Sequence, residues 1–241
     1  MPGINQPGAI MKYYVTEYFR SIQGEGNFAG TNSFFIRFHF CNLACRWCDT
    51  KYTWLEKSGE YKEYTKDELT GLIKNKSTGH VVFTGGEPSL YRLDELVCDS
   101  SKYHVESSGV IIPTEPLNIT LSDGTSFKRD SMNENIISHF NWVISPKLSN
   151  TGLKIDDGYL KYWNSKEYCI FKFVIMNEKD LDEVDEVTRE LNISKQKVYI
   201  CLEGTTFESQ LRPALADRII EYGFNYSPRL QVLLWGAKRG K

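Results

Sequence analysis

Residues 33–48 read SFFIRFHFCNLACRWC. In the first eight, Arg37 and His39 alternate against phenylalanine and isoleucine, which is the period of a β-strand. The last eight hold Cys41, Cys45 and Cys48 in C-x3-C-x2-C spacing. A strand running straight into a loop of three thiols puts a soft-metal site at a strand end, because thiolate is the ligand for zinc and for iron–sulfur clusters. Structural zinc takes four closed ligands, and only three cysteines are clustered here. His39 is the nearby candidate for a fourth, but its alternation with Phe38 and Phe40 suits a sheet face pointing away from the loop. Three thiolates instead leave one iron of a cubane cluster open to a small molecule.

Outward from this stretch, Thr65 and Glu68 form a capping-box pair ahead of Leu69, Leu72 and Ile73, predicting a helix start. HVVFT at 80–84 reads as a short buried strand running into the loop Gly85-Gly86-Glu87-Pro88. Residues 90–98 read as helical and 103–106 as strand. From 110 to 138 the rhythm breaks, and Asp123-Gly124 between apolar runs predicts a hairpin in an insertion on the scaffold. Strands are then expected at 142–145, 170–176 and 198–202, with helices over 179–191 and 208–222. The second of these sets Leu211, Ala214, Leu215 and Ile219 on one face. A last strand is expected over 229–235, followed by a solvated tail, AKRGK.

Continuous apolar strands alternating with few helices predict an α/β protein with a mostly parallel sheet. Too few helices are found for an eightfold barrel, so the expectation is an incomplete TIM-like barrel of about six strands, with the hairpin-like insertion. Residues 1–10, rich in Gly and Pro, read as a disordered leader, and 11–241 as one domain. The 241 residues carry 29 Lys and Arg against 31 Asp and Glu, a net charge of −2, which excludes a nucleic-acid binder working by bulk field. No apolar run is long enough to span a membrane, and residues 168–176 are interrupted by Lys172. A cytoplasmic location is expected, where thiols stay reduced. There the scattered Cys98, Cys169 and Cys201 read as small buried hydrophobes.

The thiol spacing after one core strand, followed by Gly85-Gly86-Glu87-Pro88 after the next, resembles the radical S-adenosylmethionine superfamily. A narrower resemblance, to the 7-carboxy-7-deazaguanine synthases, rests on SIQGEG at 21–26, Arg37, and Cys48-Asp49-Thr50. It rests also on VESSG at 105–109, ISPK at 144–147 and LLWG at 233–236. It covers most of 11–241 outside the insertion. The resemblance implies rearrangement of 6-carboxy-5,6,7,8-tetrahydropterin, with ring contraction and loss of ammonia, to 7-carboxy-7-deazaguanine for queuosine-type pathways. It implies a 4Fe-4S cluster on Cys41, Cys45 and Cys48, and Mg2+ on Thr50. It implies substrate contacts from Ile22, Gln23, Gly24, Glu25, Arg37 and Thr84, with Arg37 on the substrate carboxylate. S-adenosyl-L-methionine would lie against Trp47, Cys48, Asp49, Gly86, Glu87, Ser107, Ser145, Pro146 and Lys147.

In physical terms, the glycine pair lets backbone approach a ligand and Glu87 can pair with an ammonium. Implied partners are an electron donor such as flavodoxin or ferredoxin and a second copy in a homodimer. Two departures concern the far wall of the substrate pocket. Cys201-Leu202-Glu203-Gly204 stands where some members have Leu-Gln-Pro, leaving Glu203 a weak candidate, and the chain ends in WGAKRGK. The competing readings are an activase that makes a glycyl radical on a protein, which has no use for SIQGEG or the CDT threonine, and a non-catalytic zinc module, which needs His39 turned inward.

Overall fold

A computed structural model describes residues 11–55, 60–153, 156–236 and 238–241; the leader expected over 1–10 lies outside the described residues. Strand β1 (Tyr13–Ile22) pairs antiparallel with β2 (Asn32–Phe38) and with β3 (Lys62–Tyr64). The capping box of Thr65 and Glu68 opens helix α1 (Lys66–Lys76), as expected, and this helix buries Leu69 and Ile73. Next come β4 (His80–Gly85), β5 (Lys102–Ser107), the hairpin β6 (Leu117–Thr120) and β7 (Ser126–Arg129), and the single turn α2 (Glu134–Ile137). The chain continues through β8 (Asn141–Ile144), α3 (Gly158–Asn164), β9 (Cys169–Ile175), α4 (Glu178–Glu190) and β10 (Val198–Leu202). It closes with the turn α5 (Phe207–Gln210), α6 (Pro213–Glu221), β11 (Asn225–Tyr226) and α7 (Leu230–Trp235).

Nine strands form one sheet in the order β11-β10-β9-β8-β5-β4-β2-β1-β3. All pairings from β2 through β11 are parallel, so the expected α/β class with a mostly parallel sheet is found. The strands are not apolar throughout, however. Phe34, Ile36, Phe38, Val81, Phe83, Tyr103, Val105, Phe171 and Phe173 belong to the main core with the buried side chains of α1, α4 and α6. The residues between them, Arg37, Thr84, Glu106 and Lys172, face the opposite side, where they line a cavity. One face of the sheet packs the main core, and the other sets these polar side chains among apolar ones such as Phe35 and Val174.

Four local expectations are corrected. Residues 90–98 form 3-10 turns rather than a helix, because Tyr91 is extended and buried with its hydroxyl donating to the His39 carbonyl at 2.7 Å. The helix expected over 208–222 is broken before Pro213, whose missing N–H suits only a first turn. Leu211 is consequently exposed, not on the buried face. The apolar run 229–235 is helical, since β11 already forms that edge of the sheet, and a short apolar run does not by itself choose between helix and strand. The hairpin of the 110–138 insertion forms as predicted, but Phe127 and Ile137 sit fully inside the main core instead of resting on its surface.

Candidate active site

The parallel strands point their C-terminal ends the same way, and the loops there carry Cys41–Cys48, Gly85–Pro88, Ser107–Gly109 and Ser145–Lys147. Ligand sites of parallel α/β sheets form at this end. Together with that second face of the sheet, these loops enclose a cavity of about 310 Å³. Its inner row follows from register. Arg37 stands beside Thr84 across β2 and β4, and the Thr84 hydroxyl donates to Glu106 at 2.7 Å. The Gln23 amide donates to the other Glu106 oxygen at 3.0 Å. Each Glu106 oxygen thus takes one hydrogen bond, and the carboxylate keeps acceptor capacity at the cavity.

Cys41, Cys45 and Cys48 are free thiols on that cavity. Burial pushes the Cys41 and Cys45 thiols up, and a bound cation such as cluster iron would favour their thiolate form. Among the described residues, no three His, Cys, Asp or Glu side chains converge on one ion position. A cubane cluster does not ask for that, because it takes each thiolate on a different iron. The donor set therefore fits an iron–sulfur cluster. His39 is not part of it: its Nδ1 lies 2.9 Å from the Thr16 hydroxyl, its ring packs against Phe40 and Tyr61, and burial lowers its pKa to about 4.

The glycine pair lines the cavity and also lets two backbone segments approach each other. A Cβ on Gly85 would lie 2.3 Å from the Phe38 carbonyl oxygen, and one on Gly86 would lie 1.9 Å from that of Phe40. The Gly86 and Glu87 amides donate to those same two carbonyls at 3.0 and 2.8 Å. The glycines let β4 exit against the backbone that leads into Cys41, and Gly85 needs a positive φ of 126° as well. Phe40, at φ 69°, is itself in the left-handed region one residue before the first thiol.

Two glutamates expected at ligands are already occupied. Glu87 is 1% exposed, and it accepts from the Ser89 amide, the Ser107 hydroxyl and both the amide and hydroxyl of Ser108. Neither it nor Pro146 lines the cavity, whereas Ser107 and Ser145 do. Glu25 lines the cavity, yet its oxygens accept from Arg229 at 2.9 Å, from Gln231 at 2.6 Å and from Lys172. Burial alone would raise the Glu25 carboxyl's pKa; the Lys172 ammonium and Arg229 guanidinium outweigh it and hold the group well below the usual carboxylate range. The Gln231 carbonyl oxygen, packed against Gly24, is buried without a partner.

The remaining expected residues reach the cavity: Ile22, Gln23, Gly24, Trp47, Asp49, Thr50, Lys147 and the weak candidate Glu203. Thr50 does not cap the turn that follows it with its side chain; its carbonyl accepts from Thr53, and its hydroxyl sits 3.5 Å from Cys48 Sγ. At the rim, Glu17 accepts from Arg37 at 2.8 Å, from the Tyr52 hydroxyl at 3.1 Å and from Arg239 at 2.8 Å. A register shift between Val15 and Glu17 sets Glu17 opposite Arg37. Arg239 also lies over the Tyr52 ring, and Lys238 and Lys241 line the cavity, so the tail is not simply solvated. Sequence reasoning missed Glu106, Lys172, Arg229 and Gln231. For Lys172 a signal existed, since a charge inside an apolar strand must find a partner.

A mostly parallel sheet whose strand ends gather three free thiols is the arrangement of a radical S-adenosylmethionine protein, and the Radical SAM superfamily model matches residues 35–122. Over nearly its whole length the chain is 31% identical to the 7-carboxy-7-deazaguanine synthase of Pyrobaculum aerophilum, covering 97% of this chain and 99% of that one. The synthase of Hyperthermus butylicus is 33% identical over 91% of this chain and 92% of its own, and that of Thermoplasma acidophilum 32% identical over 94% and 99%. The crystal structure of QueE from Escherichia coli shares the fold, with a TM-score of 0.65 and 22% identity over 90% of this chain and 93% of that one. The chain belongs to the 7-carboxy-7-deazaguanine synthase family. Membership of this superfamily implies a 4Fe-4S cluster and S-adenosylmethionine. Among the described residues, no helix is long and apolar enough to cross a membrane.

Proposed function

We propose that this chain converts 6-carboxy-5,6,7,8-tetrahydropterin to 7-carboxy-7-deazaguanine with loss of ammonia, in a 7-deazapurine pathway of queuosine type. The observation that carries this reading is the shared cavity: three free thiols border the same space as Gln23, Thr84, Glu106 and Arg37. Cys41, Cys45 and Cys48 would hold the cluster, which when bound would supply the electron for reductive cleavage of S-adenosylmethionine. Trp47, Asp49, Gly86, Ser107, Ser145 and Lys147 receive the nucleoside and amino-acid parts of S-adenosylmethionine, with Glu87 and Pro146 shaping that wall from behind.

Glu106 and the Gln23 carbonyl oxygen suit the paired N–H edge of a pterin, because they retain acceptor sites. Arg37 spends its Nε on Glu17 and keeps its terminal nitrogens for the substrate carboxylate. Thr50 offers a hard hydroxyl oxygen to Mg2+, and its freedom from a capping bond supports that role. The sheet forms a partial barrel, the reductant is a flavodoxin or ferredoxin, and the assembly is a homodimer. Anaerobic reconstitution with iron and sulfide, followed by incubation with carboxytetrahydropterin, S-adenosylmethionine, Mg2+ and dithionite, tests the reaction. The expected result is 7-carboxy-7-deazaguanine, seen by its aromatic absorbance and mass; its absence with an intact cluster and intact S-adenosylmethionine cleavage overturns the substrate.

A further inference from the structure

Arg229 joins three segments that lie far apart in the chain. Its side chain is 10% exposed. Nε donates to Glu25 at 2.9 Å, Nη1 to the Gly204 carbonyl at 2.6 Å, and Nη2 to Asp49. One planar guanidinium thereby ties the loop carrying Gln23 and Glu25, the turn after β10, and the thiol loop at the residue following Cys48. The charges also close, since Glu25 and Asp49 balance Lys172 and Arg229. Every arm of Arg229 ends on protein, so the residue is a strut under the cavity. The loops it connects are the two that meet different ligands in the function proposed above, and the inference rests on that reading.

We propose that Arg229 is a positioning residue that locks the thiol loop to the substrate loop, so that pterin and S-adenosylmethionine each strengthen the binding of the other. Ordering one loop orders the other through a rigid fork, and the second ligand then meets a loop already in place. Lysine at 229 keeps the charge but can hold one partner well, not three. Asp49 is half exposed, with 47% of its side chain accessible, so Asp49→Ala cuts the same link at little risk to folding.

The test has two arms. First, S-adenosylmethionine affinity is measured on the reconstituted 4Fe-4S protein with and without saturating carboxytetrahydropterin. The pterin should tighten binding to the wild type by about tenfold, and by less than about twofold in Arg229→Lys and Asp49→Ala at equal cluster content. Second, hydrogen exchange is followed in cluster-free protein. The peptide over 41–50 should exchange faster in both variants, while 198–202 is unchanged. Wild-type coupling in either folded variant, no reinforcement in the wild type, or unchanged exchange over 41–50 overturns the proposal. A wild type that binds S-adenosylmethionine but no pterin overturns the proposed substrate instead, and the exchange arm, which uses neither ligand, still decides the strut.

Discussion

Glu25 and Glu106 face one cavity, and their hydrogen bonds separate their roles. Glu25 is spent on Lys172, Arg229 and Gln231, whereas Glu106 has lone pairs to spare. Glu25→Gln should therefore act on folding, leaving Lys172 without its counter-charge while Arg229 keeps Asp49, at a cost of about 3–5 kcal/mol, read by urea denaturation. Glu106→Gln should leave stability nearly unchanged and raise the KM for pterin. The opposite pattern would exchange the two assignments. Thr50→Val keeps the shape of the side chain and removes one oxygen. It should raise the Mg2+ needed for turnover and leave the cluster spectrum normal; superimposable Mg2+ titrations of the two proteins would take Thr50 out of the metal site. Cys45→Ala should lose the cluster altogether, while Cys169→Ser, whose thiol lies buried against the Trp163 carbonyl, should keep full iron content.

Among the elements, the insertion is the least expected. Arg129, at the end of β7, is 5% exposed and donates to the carbonyls of Ser89, Ile112, Pro113, Glu115 and Asp130. Beside it, Phe127 meets the rings of Phe40 and Tyr91 edge-on at 5.4 and 5.7 Å. The hairpin thus braces both the residue before Cys41 and the turn after Glu87. Arg129→Met would leave buried carbonyls unpaired and should cost about 3 kcal/mol or more in stability. Because the brace reaches Phe40, the variant should also release cluster iron to a chelator faster than wild type at a temperature where both are folded. Equal release rates would confine the hairpin to a packing role. Asp123-Gly124 made the hairpin legible in the sequence, but its burial was not, because Phe127 and Arg129 find their partners in other parts of the chain.

Across the whole molecule, acid stability gives a further check. His104 is buried beneath Phe28, beside His80 and Asn141 and near Lys102; burial first, then the neighbouring cations, lower its pKa from 6.5 to about 4. The unfolded chain binds a proton there that the folded one refuses. Stability from this site is therefore complete above pH 6.5 and is lost as pH falls from 6.5 towards 4. His104→Gln should flatten the stability curve within that window and leave it unchanged at pH 8. A curve as steep as wild type between pH 6.5 and 4 would mean that other groups drive the acid transition.

Residues close together in the chain determined the parts of this protein that depend on spacing. C-x3-C-x2-C places three thiols on one loop, Thr65 and Glu68 cap a helix, and the alternation in 33–40 and the apolar run at 80–84 make strands. The same period of two already sorts Arg37 and Thr84 onto one face. What the chain does with its buried charges was decided only by strand order. Glu25 meets Lys172 and Arg229 across separations of 147 and 204 residues, and no local pattern carries that information. The tertiary structure likewise turned Gly85 and Gly86 into a backbone contact and closed Glu87 behind the wall. A carboxylate or a glycine is defined by what packs against it, and the sheet brings those partners in from β2, from the loop after β5 and from the segment after β11. Spacing could name the thiols, but charge pairing in low dielectric had to wait for the fold to bring opposite charges within a hydrogen bond of one another.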